Sequence, residues 1–154
     1  ILACDIAPGA VEAAKRNFVL NNLSLDRSST LVGDGFEVLA RLAREGRHFD
    51  VVVLDPPSFA QSRRQRRAAQ RAYVRLNRLA LGCLNEGGLL ASASCTSQVS
   101  LEAFRQALAE AARQAGRRLL IVHEAGQPVD HPVPAHFPEA RYLKFVVSRV
   151  LGVS

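Results

Sequence analysis

The feature that most constrains the fold is an apolar run that ends in an acid and two prolines. Val51-Val52-Val53-Leu54 is followed directly by Asp55-Pro56-Pro57. A continuous rather than alternating apolar pattern is typical of a parallel strand that helices cover on both faces. Ligands of open parallel sheets bind at the carboxyl ends of the strands, so we expect Asp55 to lie at the functional edge.

The two prolines admit a functional and a structural interpretation. Because proline fixes φ near −65° and lacks an N–H group, Pro56-Pro57 would form a stiff rim that leaves neighbouring polar groups free for a flat ligand. The alternative is a turn before a helix that merely ends the strand. We favour the functional interpretation, since a strand-terminal acid beside two prolines is an uncommon combination.

Bulk properties indicate one intracellular domain. With 154 residues and 48% hydrophobic content, the chain can bury one core, and we predict a single domain over 1–154. The sequence has no apolar run of bilayer length and no signal-like start, which favours a cytoplasmic location. It begins at Ile1 inside a predicted strand and contains no methionine, so we expect a fragment of a longer protein.

Cysteine and charge content narrow the function classes. Cys4, Cys83 and Cys95 are odd in number and lack the paired spacing of a zinc site, which indicates a reducing compartment and no metal centre. The net charge is +6 and the excess is mostly arginine, a residue that grips phosphate bidentately.

Strands and helices are predicted to alternate along the chain. The predicted strands cover 1–5, 30–32, 51–54, 89–94, 119–123 and 142–150. The predicted helices cover 8–22, 35–45, 67–84 and 101–115, and an irregular proline-rich segment covers 127–138. This order indicates an α/β, Rossmann-like, doubly wound and mostly parallel sheet with an antiparallel edge strand.

Acidic residues at the first two strand ends are candidate nucleotide ligands. An acid such as Asp5 binds ribose hydroxyls in many α/β proteins, usually about 20 residues after a glycine-rich loop. Only four residues precede Asp5 here. Gly33-Asp34-Gly35 follows the second strand and could seat an adenine edge. Each residue also has a structural alternative that is equally open. Asp5 could cap the helix that follows it, and Asp34 could lie in a tight turn that caps the next helix.

Cys95 is the candidate nucleophile. It follows the strand after the Asp55 strand, so both side chains can approach one cleft of a parallel sheet. A buried cysteine is more often an inert hydrophobe, but a position at the carboxyl edge, between Ser94 and Thr96, favours chemistry. Cys4 and Cys83 are assigned to packing.

Two further features involve charged residues. Arginines recur at a spacing of three or four and predict a basic helix face that either is merely solvated or contacts a phosphate backbone: Arg64, Arg67, Arg71, Arg75 and Arg78. His131 is interpreted as a structural hydrogen-bonding partner of Asp130, with a catalytic base or an RNA contact as the alternative.

Together these residues resemble the class I S-adenosylmethionine-dependent methyltransferases. The resemblance is closest to the bacterial 23S ribosomal RNA (cytosine-5)-methyltransferases that carry an N-terminal PUA domain, and it covers essentially the whole chain. The motifs that carry it are Asp55-Pro56-Pro57-Ser58-Phe59, Leu84-Asn85-Glu86-Gly87-Gly88, Ser94-Cys95-Thr96, Asp130-His131-Pro132-Val133 and Tyr142-Leu143-Lys144.

The resemblance implies a covalent mechanism, in which the Cys95 thiolate adds to carbon 6 of a cytosine while Asp55 steadies the protonated ring. It also implies S-adenosyl-L-methionine as cofactor, with Asp5 on the ribose, Ile6 beside the adenine, and Asp34 with its neighbour Gly35 at the exocyclic amine. Asp55 and Pro56 would border the methionine portion. The implied RNA contacts are Arg64, Arg67, Arg71 and Arg75.

The sequence departs from the family pattern at its start. The PUA-like domain, the first strand and its glycine loop are absent, and that strand normally lies between those that end at Asp5 and Asp55. We therefore expect two unpaired strand edges. Strand exchange is one remedy, which leaves a homodimer open as an assembly.

Two other functions remain open. An exocyclic-amine methyltransferase of nucleic acid commonly has an aromatic residue directly after the two prolines, where this chain has Ser58. A non-catalytic RNA-binding module is favoured by the missing glycine loop and disfavoured by Asp55 and Cys95.

Overall fold

A computed structural model describes residues 1–24, 29–137 and 140–152, in which strands and helices alternate as predicted. The strands are β1 (Leu2–Asp5), β2 (Ser29–Val32), β3 (Phe49–Leu54), β4 (Leu84–Ser94), β5 (Arg118–Ala125) and β6 (Lys144–Leu151). The α-helices are α1 (Pro8–Leu20), α2 (Gly35–Arg44), α3 (Arg66–Leu81) and α4 (Leu101–Gln114), and a 3-10 helix over Arg63–Gln65 precedes α3.

Local hydrogen bonds explain where two of the helices begin. Asp34 caps α2, because its carboxylate accepts hydrogen bonds from the backbone N–H groups of Phe36 at 2.8 Å and Glu37 at 3.3 Å. Ser100 caps α4 in the same way, through the N–H of Ala103 at 3.1 Å. Helix α1 has Pro8 in its first turn and no side-chain cap.

The strands form two sheets. In the larger sheet the order is β3-β4-β6-β5, with β3 parallel to β4 and β6 antiparallel to both of its neighbours. The smaller sheet is the parallel pair β1-β2. The α/β, Rossmann-like fold with a parallel-rich sheet is thus confirmed, and the antiparallel strand β6 lies one position in from the edge strand β5.

A seam separates the two sheets. In the described part of the chain β1 pairs only with β2 and β3 only with β4, so each keeps one open edge, as the sequence predicted. The prediction that helices cover β3 on both faces is wrong. Val51 and Val53 are 53% and 65% exposed, whereas Leu54 is buried, because α2 and α3 cover only one face of this strand.

The core lies between the larger sheet and helices α2, α3 and α4. Leu81, Leu84 and Leu90 are fully buried there. A row of aromatic rings in tilted and edge-to-face contact runs beside them, with centroid separations of 6.0 Å from Phe36 to Phe59, 4.9 Å to Tyr73 and 5.1 Å to Phe104. The row starts at the first turn of α2 and ends in α4.

The junction between α3 and β4 differs from the prediction. Helix α3 ends at Leu81 and β4 begins at Leu84, so Cys83 lies between them, buried, with its thiol donating to the Leu39 carbonyl. The predicted turn at Gly87-Gly88 lies inside β4, where the register shifts against β3. A Cβ atom at Gly88 would lie 2.9 Å from the Asp50 carbonyl oxygen, so only glycine allows this approach.

The structure also bears on the predictions for Cys4 and for the irregular proline-rich segment. Cys4 was assigned to packing, but the structure exposes its side chain, in the two-stranded sheet formed by β1 and β2. The predicted irregular segment ends at Pro138, which with Glu139 lies outside the described residues. No described helix has both the length and the apolar character needed to cross a bilayer.

Candidate functional site

Asp55 and Cys95 lie at the same edge of the larger sheet. Their strands are parallel neighbours, and Leu54 pairs with Ser92 near the ends of both. The thiol of Cys95 points to the carbonyl oxygen of Pro56, at a distance of 3.8 Å. The sequence therefore placed the acid and the cysteine correctly at a common edge.

Hydrogen bonds fix the loop around this pair. The hydroxyl of Thr96 donates to the Ala60 carbonyl at 2.7 Å, and the hydroxyl of Ser58 donates to the same oxygen at 3.0 Å. Cys95 itself is half-buried. The segment after the two prolines is thus held against the end of β4.

Lys144 is a buried cation beside Cys95 that the sequence interpretation gave no role. It pairs with Ser94 across the sheet and is only 7% exposed. Its ammonium donates to the carbonyl of Thr96 and, at 2.8 Å, to that of Tyr142. Burial lowers the pKa of this amine to about 8, and the neighbouring Cys95 opposes that shift.

Buried hydroxyl and amide groups lie beneath the same edge. The side-chain oxygens of Tyr73, Asn77, Ser92 and Ser94 are buried without a hydrogen bond of standard geometry to the described residues. The Tyr73 hydroxyl nevertheless interacts with Ser94, and burial raises the pKa of this phenol. Buried polar groups that lack a protein hydrogen bond of standard geometry commonly bond to internal water. The sequence signal for the two serine hydroxyls was the alternation of Ser92 and Ser94 with alanines.

The residues predicted to hold the cofactor lie mostly at the ends of the smaller sheet. Asp5 is the last residue of β1 and Asp34 comes two residues after the end of β2, so these two residues lie at one edge of the parallel pair. Asp5 accepts a hydrogen bond from the Ala7 N–H at 2.7 Å, and Ile6 is 70% exposed. Gly35 has open space where a Cβ atom would be.

This donor set fits a nucleoside. Carboxylates suit ribose hydroxyls and an exocyclic amine, and an exposed aliphatic side chain suits the face of a base. Asp34 also caps α2, so its structural alternative is present together with its place at the strand end. The alternative for Asp5 is wrong, because the N-cap residue of α1 is Ala7 and no side chain caps this helix. Asp55 and Pro56 lie across the seam, on the larger sheet.

The predicted arginine stripe is an exposed face of α3 and the preceding 3-10 helix. Arg67, Arg71 and Arg78 line a groove of about 620 Å³ between α3 and α4. Arg75 also borders this groove, with its guanidinium 5.0 Å from the ring centre of Phe36. Within the described ranges, none of the arginines from Arg64 to Arg78 has an acidic partner within salt-bridge distance, so their charge is available to a ligand.

A second cleft, of about 700 Å³, opens between the loop after β4 and the loop before β6. Ser97, Arg141 and Lys144 are among its walls. His131 also lines it and contacts Asp130 at 3.2 Å, the pairing that the sequence interpretation favoured. Hydrogen bonding to His131 lowers the pKa of Asp130. The described side chains contain no group of three His, Cys, Asp or Glu residues placed to bind a metal.

Curated relatives match nearly the whole chain. The Ribosomal RNA large subunit methyltransferase I of Serratia proteamaculans is 37% identical over 151 residues, and that of Escherichia coli O139:H28 is 36% identical over 151 residues. Each match covers 98% of this chain but only 38% of the relative, so the chain spans well under half of their length. No model of a protein family matches the chain.

Solved methyltransferases share the fold. The crystal structure of a protein described as a methyltransferase, in complex with SAH, superposes with a TM-score of 0.81 at 21% identity and covers 96% of this chain and 38% of that one. Trm5b from Pyrococcus abyssi superposes with a TM-score of 0.65 at 18% identity over 97% of this chain and 37% of that one. The chain therefore has the Rossmann-like fold of S-adenosylmethionine-dependent methyltransferases.

Proposed function

We propose that this chain forms the cofactor-binding and catalytic portion of an S-adenosylmethionine-dependent methyltransferase of 23S ribosomal RNA, which makes 5-methylcytosine through a covalent cysteine adduct. The observation that carries this proposal is the 3.8 Å approach of the Cys95 sulfur to the Pro56 carbonyl, directly after Asp55. The similarity to the large-subunit methyltransferases supports it. A ribosomal substrate would place the protein in the cytoplasm.

The proposed chemistry divides between Cys95 and Asp55. The Cys95 thiolate adds to carbon 6 of the cytosine, forming a carbon–sulfur bond and making carbon 5 nucleophilic, while Asp55 hydrogen-bonds the ring and steadies its protonated form. S-adenosyl-L-methionine, when bound, supplies an electrophilic methyl group. Loss of the proton from carbon 5 then expels the Cys95 thiolate and restores the aromatic ring.

The smaller sheet would hold the cofactor. We assign Asp5 to the ribose hydroxyls, Ile6 to the adenine face, and Asp34 with Gly35 to the adenine amine. Asp55 and Pro56 would border the methionine end from the larger sheet. This division is supported by the carboxylates at the adjacent ends of β1 and β2.

The arginine stripe would hold the RNA backbone near the exposed or extruded base. Arg64, Arg67, Arg71 and Arg75 are exposed and free of described acidic partners, as phosphate contacts require. Replacing Arg67 and Arg71 together with alanine should weaken RNA binding and reduce the slope of log affinity against log salt by about 1.4, since each lost contact to single-stranded RNA contributes roughly 0.7. An unchanged slope would contradict this assignment.

The deciding experiment is methyl transfer from labelled S-adenosylmethionine to unmodified 23S ribosomal RNA by the natural polypeptide that carries this sequence. Cys95→Ala should abolish the formation of 5-methylcytosine, while Cys4→Ala, which removes an exposed thiol, should retain it. Undiminished transfer by Cys95→Ala, or a methylated exocyclic amine as product, would overturn the proposal.

One observation favours a second candidate for the chain in isolation. The open edges of β1 and β3 separate the proposed cofactor residues from Cys95, which suits a non-catalytic RNA-binding module. Titration of S-adenosylmethionine into this chain and into the natural polypeptide separates the two functions. An exocyclic-amine methyltransferase is less well supported, because the Ser58 hydroxyl donates to the Ala60 carbonyl and the Phe59 ring packs at a tilt against Phe36 and Tyr73 instead of facing a base.

A further inference from the structure

Lys144 occupies an unusual position for a lysine. Lysines are rarely buried without a partner, because removing an ammonium from water is costly unless charge or hydrogen bonds compensate for it. Lys144 is 7% exposed, and the carbonyls of Thr96 and Tyr142 are its neutral acceptors. Among the described residues it has no carboxylate within salt-bridge distance.

The geometry places this charge next to the candidate nucleophile. Ser94, the residue before Cys95, is the cross-strand partner of Lys144, and Thr96, the residue after Cys95, accepts a hydrogen bond from its ammonium. The backbone of Lys144 is thus paired with the residue before Cys95, and its ammonium is bonded to the residue after Cys95. A thiolate at Cys95 is the anion that this arrangement can compensate.

We infer that Lys144 is a positioning residue whose buried ammonium stabilises the Cys95 thiolate and holds the end of β4 in the conformation that presents the sulfur. The thiol proton leaves to solvent, and the ammonium keeps its own protons. This inference concerns the same site as the proposed function and deepens it.

Other ionisable groups around the cysteine do not duplicate this role. Asp55 comes from the end of β3 and Tyr73 from α3, and both would become anions on ionisation. Glu124 of β5 is already paired with Arg105 of α4. His131 and Arg141, from the loop before β6, are exposed to solvent, where screening weakens their charge.

Because the attraction between two charges is mutual, it can be tested by a substitution that leaves Lys144 unchanged. If the amine stabilises the thiolate, the thiolate must stabilise the ammonium. The sequence contains two lysines, so protein labelled with carbon-13 at lysine Cε gives one signal from Lys144 and one from the exposed Lys15. Cys95→Ser should lower the titration midpoint of Lys144 by roughly 0.5–1 pH unit, with Lys15 as the internal control. A midpoint that stays within about 0.2 pH units of the wild-type value would overturn the inference.

Alkylation of Cys95 by iodoacetamide gives the complementary test. At pH 7, where the amine is charged, Lys144→Met should slow alkylation about tenfold, the effect of roughly 1.4 kcal/mol of lost charge stabilisation. Near pH 9.5 the Lys144 amine of the wild type is largely neutral, so the two proteins should react at similar rates. Lys144→Arg should retain fast alkylation at pH 7.

The alkylation controls separate charge from structure. Arg141→Met removes an exposed charge from the same cleft and should leave the rate within about twofold, as screening in water predicts. A slowing by Lys144→Met that is equal at both pH values would indicate a purely structural tether and contradict the electrostatic role. Neither test contains cofactor or RNA, so both can fail while Cys95-dependent methyl transfer succeeds, and the reverse.

Discussion

The two sheets of this molecule are built from similar strands but differ in how they are stabilised. The larger sheet has a central strand, β4, that is paired on both sides and covered by α3, and Leu90 within it is fully buried. The smaller sheet is a single pair of four-residue strands whose residues are exposed or only partly buried. Two-stranded pairs are marginal without further packing. The proposed catalytic edge thus lies on the better-packed sheet, and the proposed cofactor edge lies on the marginal one.

The largest test of this comparison replaces one leucine in each sheet. Leu90→Ala should lower the free energy of unfolding by about 3 kcal/mol, because it leaves a cavity in a close-packed core. Leu31→Ala, in β2, should cost about 1 kcal/mol, since this side chain is only partly buried. Chemical denaturation monitored by circular dichroism measures both. Equal losses would show that the two sheets are equally well packed.

Substitutions of two glycines, one in β4 and one in α1, test the same difference in packing at the backbone. Gly88→Ala should cost about 2 kcal/mol, because the new Cβ atom would lie 2.9 Å from the carbonyls of both Asn85 and Asp50, and these backbone atoms must move. Gly9→Ala, in α1, meets no atom within 4 Å and should stabilise by up to about 1 kcal/mol. Thermal melting of the two variants should shift in opposite directions, and a harmless Gly88→Ala would contradict the close approach.

Helix caps provide a smaller test. Ser100→Ala removes the cap of α4 and should cost about 1 kcal/mol of global stability. Ala7→Ser adds a cap where α1 has none and should strengthen that helix by up to about 1 kcal/mol. We expect the gain mainly as slower hydrogen exchange of α1, because a marginal element opens locally before the molecule unfolds. A matching rise in global stability would show that α1 unfolds together with the larger sheet.

The smallest effect is expected on the open face of β3. Val53→Thr should change stability by less than about 0.5 kcal/mol, because Val53 is 65% exposed. Val146→Thr places a hydroxyl at a fully buried position of β6 and should cost about 2 kcal/mol. A large loss from Val53→Thr, measured by denaturation, would indicate that this face is covered in solution.

The sequence predicted those parts of the structure that depend on local pattern. The run from Val51 to Leu54 identified a parallel strand, and the strand order brought Asp55 and Cys95 to one edge because parallel neighbours end together. It did not predict that Val53 would be exposed, since an apolar residue carries no information on whether its covering layer is present.

The remaining errors have physical causes of the same kind. The helical spacing of apolar residues in the sequence continues through Cys83, but the chain leaves the helix at Gly82, two residues before β4 begins. Lys144 received no role because its importance depends on burial and on the carbonyls of distant residues, which no local pattern encodes. The types of residue in the sequence were enough to locate the reactive groups, whereas the burial and the contacts of these groups could be read only from the tertiary structure.

The row of aromatic rings has an optical consequence. The protein contains no tryptophan and two tyrosines, so its intrinsic emission comes from Tyr73, buried in that row, and the exposed Tyr142. A tryptophan introduced at Phe59 would stand between Phe36 of α2 and Tyr73 of α3 and could be excited alone, at wavelengths where tyrosine does not absorb. Its emission wavelength would report directly whether water reaches the rings.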